Sequence, residues 1–110
     1  MNIAKLCELG QTFGERALSM ISTMDAYIDE AGIGSNWRDL CAQFEGALDG
    51  YADFVAAKCP HDAARDLFEA EARLAFYGVN VDRATAQRWR FARSAAIQEL
   101  EQELRTGAAA

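Results

Sequence analysis

One proline, one histidine, three cysteines and no long apolar run occur in this chain of 110 residues, and each scarcity removes a class of protein. A single His61, with no H-E-x-x-H pair and no cluster of histidine and cysteine, leaves a zinc site without its ligands. Cys7, Cys41 and Cys59 are odd in number, far apart and without C-x-x-C spacing. They read as reduced, buried thiols rather than a disulfide framework. No apolar stretch approaches the roughly 20 residues that span a bilayer, and no signal-peptide pattern opens the chain. A soluble, cytoplasmic protein is the expectation. Runs of β-branched residues alternating with polar ones are missing as well, which argues against strands. P-loop, dinucleotide glycine fingerprint and EF-hand spacing are absent, so no enzyme, cofactor or metal is expected.

What is present is helix-forming and periodic. At 51% hydrophobic the chain can fill one core, but it is too short for two ordinary domains. The pattern predicts an all-α, four-helix bundle-like single domain over residues 1–105 with a long N-terminal helix, followed by a disordered tail at 106–110. In the first segment, about Asn2 to Ala31, Ile3, Leu6, Gly10, Phe13, Ala17, Met20, Met24, Tyr27 and Ala31 recur at steps of three and four. Cys7, Ile21 and Ile28 widen that seam beyond a strict coiled-coil stripe, so it marks a bundle helix. Gly32 provides a stop and Ser35 or Asn36 a cap for the second segment, about Trp37 to Lys58. There Trp37, Leu40, Phe44, Ala47, Tyr51 and Phe54 repeat the rhythm, with Cys41, Leu48 and Val55 beside them.

Cys59 and Pro60 end that helix, because proline restricts the residue before it and suits a first turn. The third segment, to Tyr77, turns Ala64, Leu67, Phe68, Leu74 and Ala75 to one side and stops at Gly78. Asp82 caps the fourth, about Arg83 to Arg105. Cys59 and His61 stand near a helix start, where a dipole and an imidazolium favour a thiolate. With no oxyanion motif beside them, they read as an ordinary loop thiol and a capping residue.

Gly10 and Gly14, then Gly46 and Gly50, repeat G-x-x-x-G inside helices, where each costs about 1 kcal/mol relative to alanine. Either small residues fit around Phe13, Phe44 and Tyr51, or another helix comes close, within the fold or across a homodimer seam.

Seventeen acidic and eleven basic side chains give a net charge of −6. Nearly all of the excess lies before Pro60. Glu45, Asp49 and Asp53 recur every four residues on one side of the second helix, while Glu8, Glu15 and Asp29 share the back of the first. A solvated face is the plain reading. As a functional surface, such stripes suit a divalent cation, or mimicry of nucleic-acid phosphates toward a basic partner or one that handles nucleic acid.

The fourth helix carries Arg83, Arg88, Arg90 and Arg93 with no acid between them. A 3.6-residue wheel buries Ala86, Trp89, Ala96, Ile97, Leu100 and Leu104, and turns Ala84, Gln87, Arg88, Phe91, Ala95 and Gln98 outward. Arg93 falls on the apolar side and must snorkel out or find a carboxylate. An outward Phe91 beside Gln87 and Arg88 has the composition of a recognition surface, the plainer alternative being that Phe91 packs against the end of the first helix or its loop.

The stretch Gly78-Val79-Asn80-Val81-Asp82-Arg83-Ala84-Thr85-Ala86-Gln87-Arg88-Trp89 resembles the helix-turn-helix of certain insertion-sequence transposases. The resemblance spans about a dozen residues. It implies a recognition-helix role for Arg83, Thr85, Gln87 and Arg88, with Trp89 as packing anchor. Ala86 departs from the larger β-branched residue of that pattern, and no acidic catalytic domain follows.

Two functions are therefore expected in order. The first is a non-catalytic protein that binds another protein through Glu45, Asp49, Asp53, Gln87, Arg88 and Phe91, as an adaptor, inhibitor, immunity protein or antagonist from a phage or mobile element. The second is a dimeric helix-turn-helix regulator that contacts DNA through the fourth helix, with the first two helices serving dimerisation. Antiparallel packing of the last two helices suits the first reading, and a steep crossing the second.

Overall fold

The computed structural model describes the backbone of residues 2–31, 33–59, 61–78 and 80–109, and within these the side chains of 2–19, 38–59, 61–78 and 80–106. It is all-α, with four helices: α1 (Ile3–Ala31), α2 (Ile33–Lys58), α3 (Asp62–Tyr77) and α4 (Arg83–Ala109). No strand occurs among the described residues.

α3 is the centre, and the other three helices pack around it. Its short sequence shows why. Ala63, Ala64, Leu67, Phe68, Ala70, Glu71, Ala72 and Phe76 are all buried, a set that covers most of its circumference. The sequence expectation of one buried side through Leu74 and Ala75 is corrected: those two are only half-buried. Small alanines let α1, α2 and α4 approach from different sides, so the usual one-faced pattern does not apply.

Aromatic rings join α1 and α2 to this centre. Phe44 stacks on Phe76 at 3.9 Å between centroids, and Phe68 meets both Phe13 (5.7 Å) and Tyr51 (5.4 Å). Rings of this size each contribute about 1.5–3 kcal/mol on burial, so the cluster is the main cohesive element. α1 and α2 touch chiefly through Phe13, which lies 5.9 Å from Phe44 and 5.3 Å from Tyr51.

Gly10 and Gly14 show where α1 meets α3. A Cβ at Gly10 would come within 2.7 Å of the Glu71 Cβ and 2.8 Å of the Phe68 carbonyl oxygen; one at Gly14 would lie 2.7 Å from the Ala75 Cβ and collide with the Ala72 carbonyl. This pair serves close approach within the fold. Gly46 and Gly50 meet nothing within 4 Å and are exposed.

Gly78 ends α3 with φ 54°, and its N–H donates to the Leu74 carbonyl at 3.1 Å. This left-handed turn favours glycine and releases the chain toward α4. His61 is the residue before α3, but its side chain makes no capping bond.

Two boundaries differ from the periodicity. α2 begins at Ile33, so Ser35 and Asn36 fall inside it rather than capping it. α4 runs to Ala109 instead of ending near Arg105, and the Thr106 hydroxyl donates to the Gln102 carbonyl at 2.9 Å. Gln, Glu, Leu, Arg and Ala are all good helix formers, which favours continuation. Leu104 is 37% exposed rather than core, because α3 has already ended opposite Glu103 and leaves it nothing to pack on. The Gly32 stop lies outside the described residues, and Met20, Ile21, Met24, Tyr27, Ile28, Asp29, Ala31 and Trp37 lie outside the described side chains.

Candidate partner-binding surface

α4 is positioned by a polar cap at its start and an ion pair near its middle. The Asp82 carboxylate accepts from the Thr85 backbone N–H (3.1 Å) and from the Thr85 hydroxyl (2.6 Å). These bonds hold the Asp82 carboxyl below its usual value and fix the first turn. A turn later, Trp89 lies 5.0 Å from the Tyr77 ring. Arg93 then reaches the carboxylate of Glu71, Nε to Oε1 3.6 Å, so the arginine on the apolar side does find an acid.

Glu71 is the one buried charged residue described, at 4% exposure. It also accepts a 2.7 Å hydrogen bond from Gln11 Nε2. One carboxylate thus joins α1, α3 and α4. Sequence periodicity missed it, since Glu71 sits in an alanine-rich helix with nothing local to mark it as buried.

The pairings Tyr77 with Trp89, Glu71 with Arg93 and His61 with Glu103 (3.3 Å) run in strict opposition. Going back along α3 goes forward along α4, so the two helices form an antiparallel hairpin. A helix-turn-helix crosses at about 90–120°. Of the residues implied by that resemblance, Arg83, Gln87 and Arg88 are exposed, whereas the Thr85 hydroxyl is committed to Asp82 and receives Arg88 Nη2 at 3.3 Å. Trp89 does act as an anchor, against Tyr77.

With α4 held this way, Ala84, Gln87, Arg88, Phe91, Ala95 and Gln98 all face outward. Phe91 is 66% exposed, the largest value among the large apolar side chains described. Arg88 and Gln87 flank it one turn earlier. Arg90 Nη1 approaches Gln87 Oε1 at 3.5 Å, which orders the amide at the rim. The end of the first helix and its loop, the alternative packing place for Phe91, lie outside the described side chains.

The acidic stripe of α2 has a different fate. Arg65 of α3 bridges Asp49 (2.9 Å) and Asp53 and also meets Glu69. Arg73 takes Glu45 at 2.9 Å, and the Tyr77 hydroxyl donates to the same carboxylate at 2.8 Å. Burial pushes the Glu45 carboxyl up, but the bonds from Arg73 and Tyr77 outweigh it and hold the group below its usual value. Asp49 and Asp53 are exposed and Glu45 half-buried, and all three form one half of an ion-pair ladder with α3. Its other half was visible in the sequence: Arg65, Glu69 and Arg73 recur every four residues on α3, matching the spacing on α2.

Two of the thiols are held in their neutral form. Burial pushes Cys7 up, and the nearby Glu71 charge adds to it; burial likewise raises Cys41, which interacts with Tyr77. Cys59 is buried at the end of α2. Among the described residues, no three His, Cys, Asp or Glu side chains are grouped to hold a metal ion, and no helix is long and apolar enough to cross a membrane. No family model, curated protein or solved structure matches the chain.

Proposed function

We propose that this is a non-catalytic protein that works by binding another protein through the outward face of α4. The observation that carries the reading is Phe91, held 66% exposed on a rigid helix between Arg88, Gln87 and Ala95. An aromatic ring beside arginine combines apolar contact area with directional hydrogen bonding, the combination enriched where binding energy concentrates. Its helix is fixed beforehand by the Asp82 cap, the Tyr77–Trp89 contact and the Glu71–Arg93 pair. Preorganisation of this kind reduces the ordering cost of association.

The face also sets the partner's chemistry. Residues 83–98 contain four arginines and no acid. A complementary surface would have an apolar pocket for Phe91 rimmed by carboxylates or carbonyls. The stripe at Glu45, Asp49 and Asp53 is less suited to a basic partner, because each of its carboxylates is already paired with Arg65 or Arg73. Adaptor, inhibitor, immunity protein and antagonist from a phage or mobile element all remain compatible with such a surface.

DNA contact through Arg83, Thr85, Gln87 and Arg88 is the less favoured reading. It would need the recognition helix to stand clear of its predecessor, and the hairpin register opposes that. Capture from the native host on wild type, Arg88→Glu and Phe91→Asp in parallel separates the outcomes. A protein retained by wild type and lost from both variants, with helicity unchanged, supports the proposal. Equal retention by all three, or a DNA ligand lost only with Arg88, opposes it.

A further inference from the structure

A groove of about 340 Å³ opens along one side of the α3–α4 hairpin, lined by Ala70 of α3 and by Ala92, Ala95 and Ala96 of α4, with Trp89 at one end. Alanines leave both backbones close to its surface, so a further helix can approach without displacing a side chain. Ala92 and Ala95 are exposed, and Ala95 also borders Phe91. The groove is therefore continuous with the outward face of α4.

Four charged side chains line the groove, Asp66, Glu69, Arg73 and Glu99, and they fall into two pairs with different fates. Glu69 is held by Arg65 and Arg73, and Arg73 in turn holds Glu45. Asp66 and Glu99 are both exposed and make no hydrogen bond or ion pair among the described residues. The hairpin brings these two to the same level, because the pairs Glu71–Arg93 and His61–Glu103 bracket Asp66 on α3 and Glu99 on α4. Two carboxylates thus face one groove end without a cation paired to either. Each raises the cost of the other's charge, and a positive group entering there relieves both.

The opposite charge stands three turns away. Arg88, Ala92, Ala95 and Glu99 follow one another at steps of four, three and four, and so form a single strip beside the groove. Eleven residues separate the arginine from the glutamate, about 16 Å of helix. Arg88 gives one N–H to the Thr85 hydroxyl at 3.3 Å and has no acidic partner among the described residues. The strip has a positive end, an apolar middle and a negative end.

We propose that the partner protein lays a helix in this groove, with small or apolar side chains on the alanines and a lysine or arginine between Asp66 and Glu99. An acidic residue of the same helix, about three turns away, meets Arg88. The inference rests on the α4 reading and describes that partner further.

A synthetic helix tests the groove by itself. The probe is a blocked, alanine-rich peptide of about 18 residues with one glutamate and, eleven residues later, one lysine; a second peptide has glutamate in place of the lysine. Titration into isotope-labelled protein should shift the backbone amides of Ala70, Ala92, Ala95 and Ala96, with a Kd below about 1 mM for the first peptide and at least about tenfold weaker binding of the second. Asp66→Lys with Glu99→Lys should reverse that order, and Asp66→Asn with Glu99→Gln should erase it. Both positions are exposed and unpaired, so helicity should be retained in every variant. Groove amides that stay still with both peptides, equal affinities on wild type, or a preference that survives both double variants overturn the inference. The peptide carries no pocket for Phe91, so titration and host capture can fail separately: loss of the first alone strikes the groove, and loss of the second alone strikes the Phe91 reading.

Discussion

Arg93 on α4 meets the buried carboxylate of Glu71 on α3 with Nε 3.6 Å from Oε1, and Gln11 of α1 completes the site. Three helices are thus registered by one charge that the surrounding alanines could not hold alone. Arg93→Met removes the positive partner and leaves Glu71 with a single neutral donor. The expected cost is about 1–2 kcal/mol in urea unfolding, less than for a fully buried pair because Arg93 is partly solvated. Glu71→Gln in the Arg93→Met background should recover part of that loss.

The two glycine pairs should respond to the same substitution with opposite signs. Gly14→Ala drives a methyl into the Ala72 carbonyl and the Ala75 side chain, and should destabilise by about 1–3 kcal/mol despite its better helix propensity. Gly46→Ala and Gly50→Ala meet open space and should each stabilise the monomer by about 1 kcal/mol. Chemical denaturation at concentrations that keep the chain monomeric makes the comparison.

Much of this was legible in the chain. Periodicity carried the four helices, the stop at Gly78, the Asp82 cap, the outward Phe91 and the search of Arg93 for an acid. It could not reveal that α3 is surrounded, because alanines at Ala63, Ala70 and Ala72 give no amphipathic signal while permitting contact on several sides. The pairing of the acidic stripe on α2 was hidden for a related reason. A row of carboxylates looks the same in sequence whether solvent or a neighbouring helix faces it, and only the matching row on α3 distinguishes the two. Leu104 followed the wheel correctly, yet its partner helix had ended.

Acid should weaken the α2–α3 ladder. Glu45 is held below its ordinary value of 4.5, and Asp82 below 3.8. For a depressed carboxyl, the stabilising contribution is complete above the ordinary value and is lost as pH falls through the lower folded-state value. The melting temperature should therefore decline as pH drops from about 5 towards 3. Glu45→Gln should flatten part of that decline, and an unchanged slope would separate Glu45 from the effect.

Thiol labelling should be slow in the native protein. Burial raises both Cys7 and Cys41, so little thiolate is present near neutral pH. Iodoacetamide at pH 7.5, about one unit below a free thiol's range, should modify these two cysteines much more slowly than free cysteine. Denaturant should restore the ordinary rate. Rapid labelling of native Cys7 would contradict its environment beside Glu71.

Photo-crosslinking from α4 tests the central claim most directly. A photoreactive phenylalanine analogue replaces Phe91 in one variant and the exposed Glu8 of α1 in another, each expressed in the native host. The expected result is a discrete protein adduct from position 91 that disappears with Arg88→Glu, and none of that mass from position 8. No adduct from position 91, or the same adduct from both positions, would contradict the assignment of binding to the α4 face.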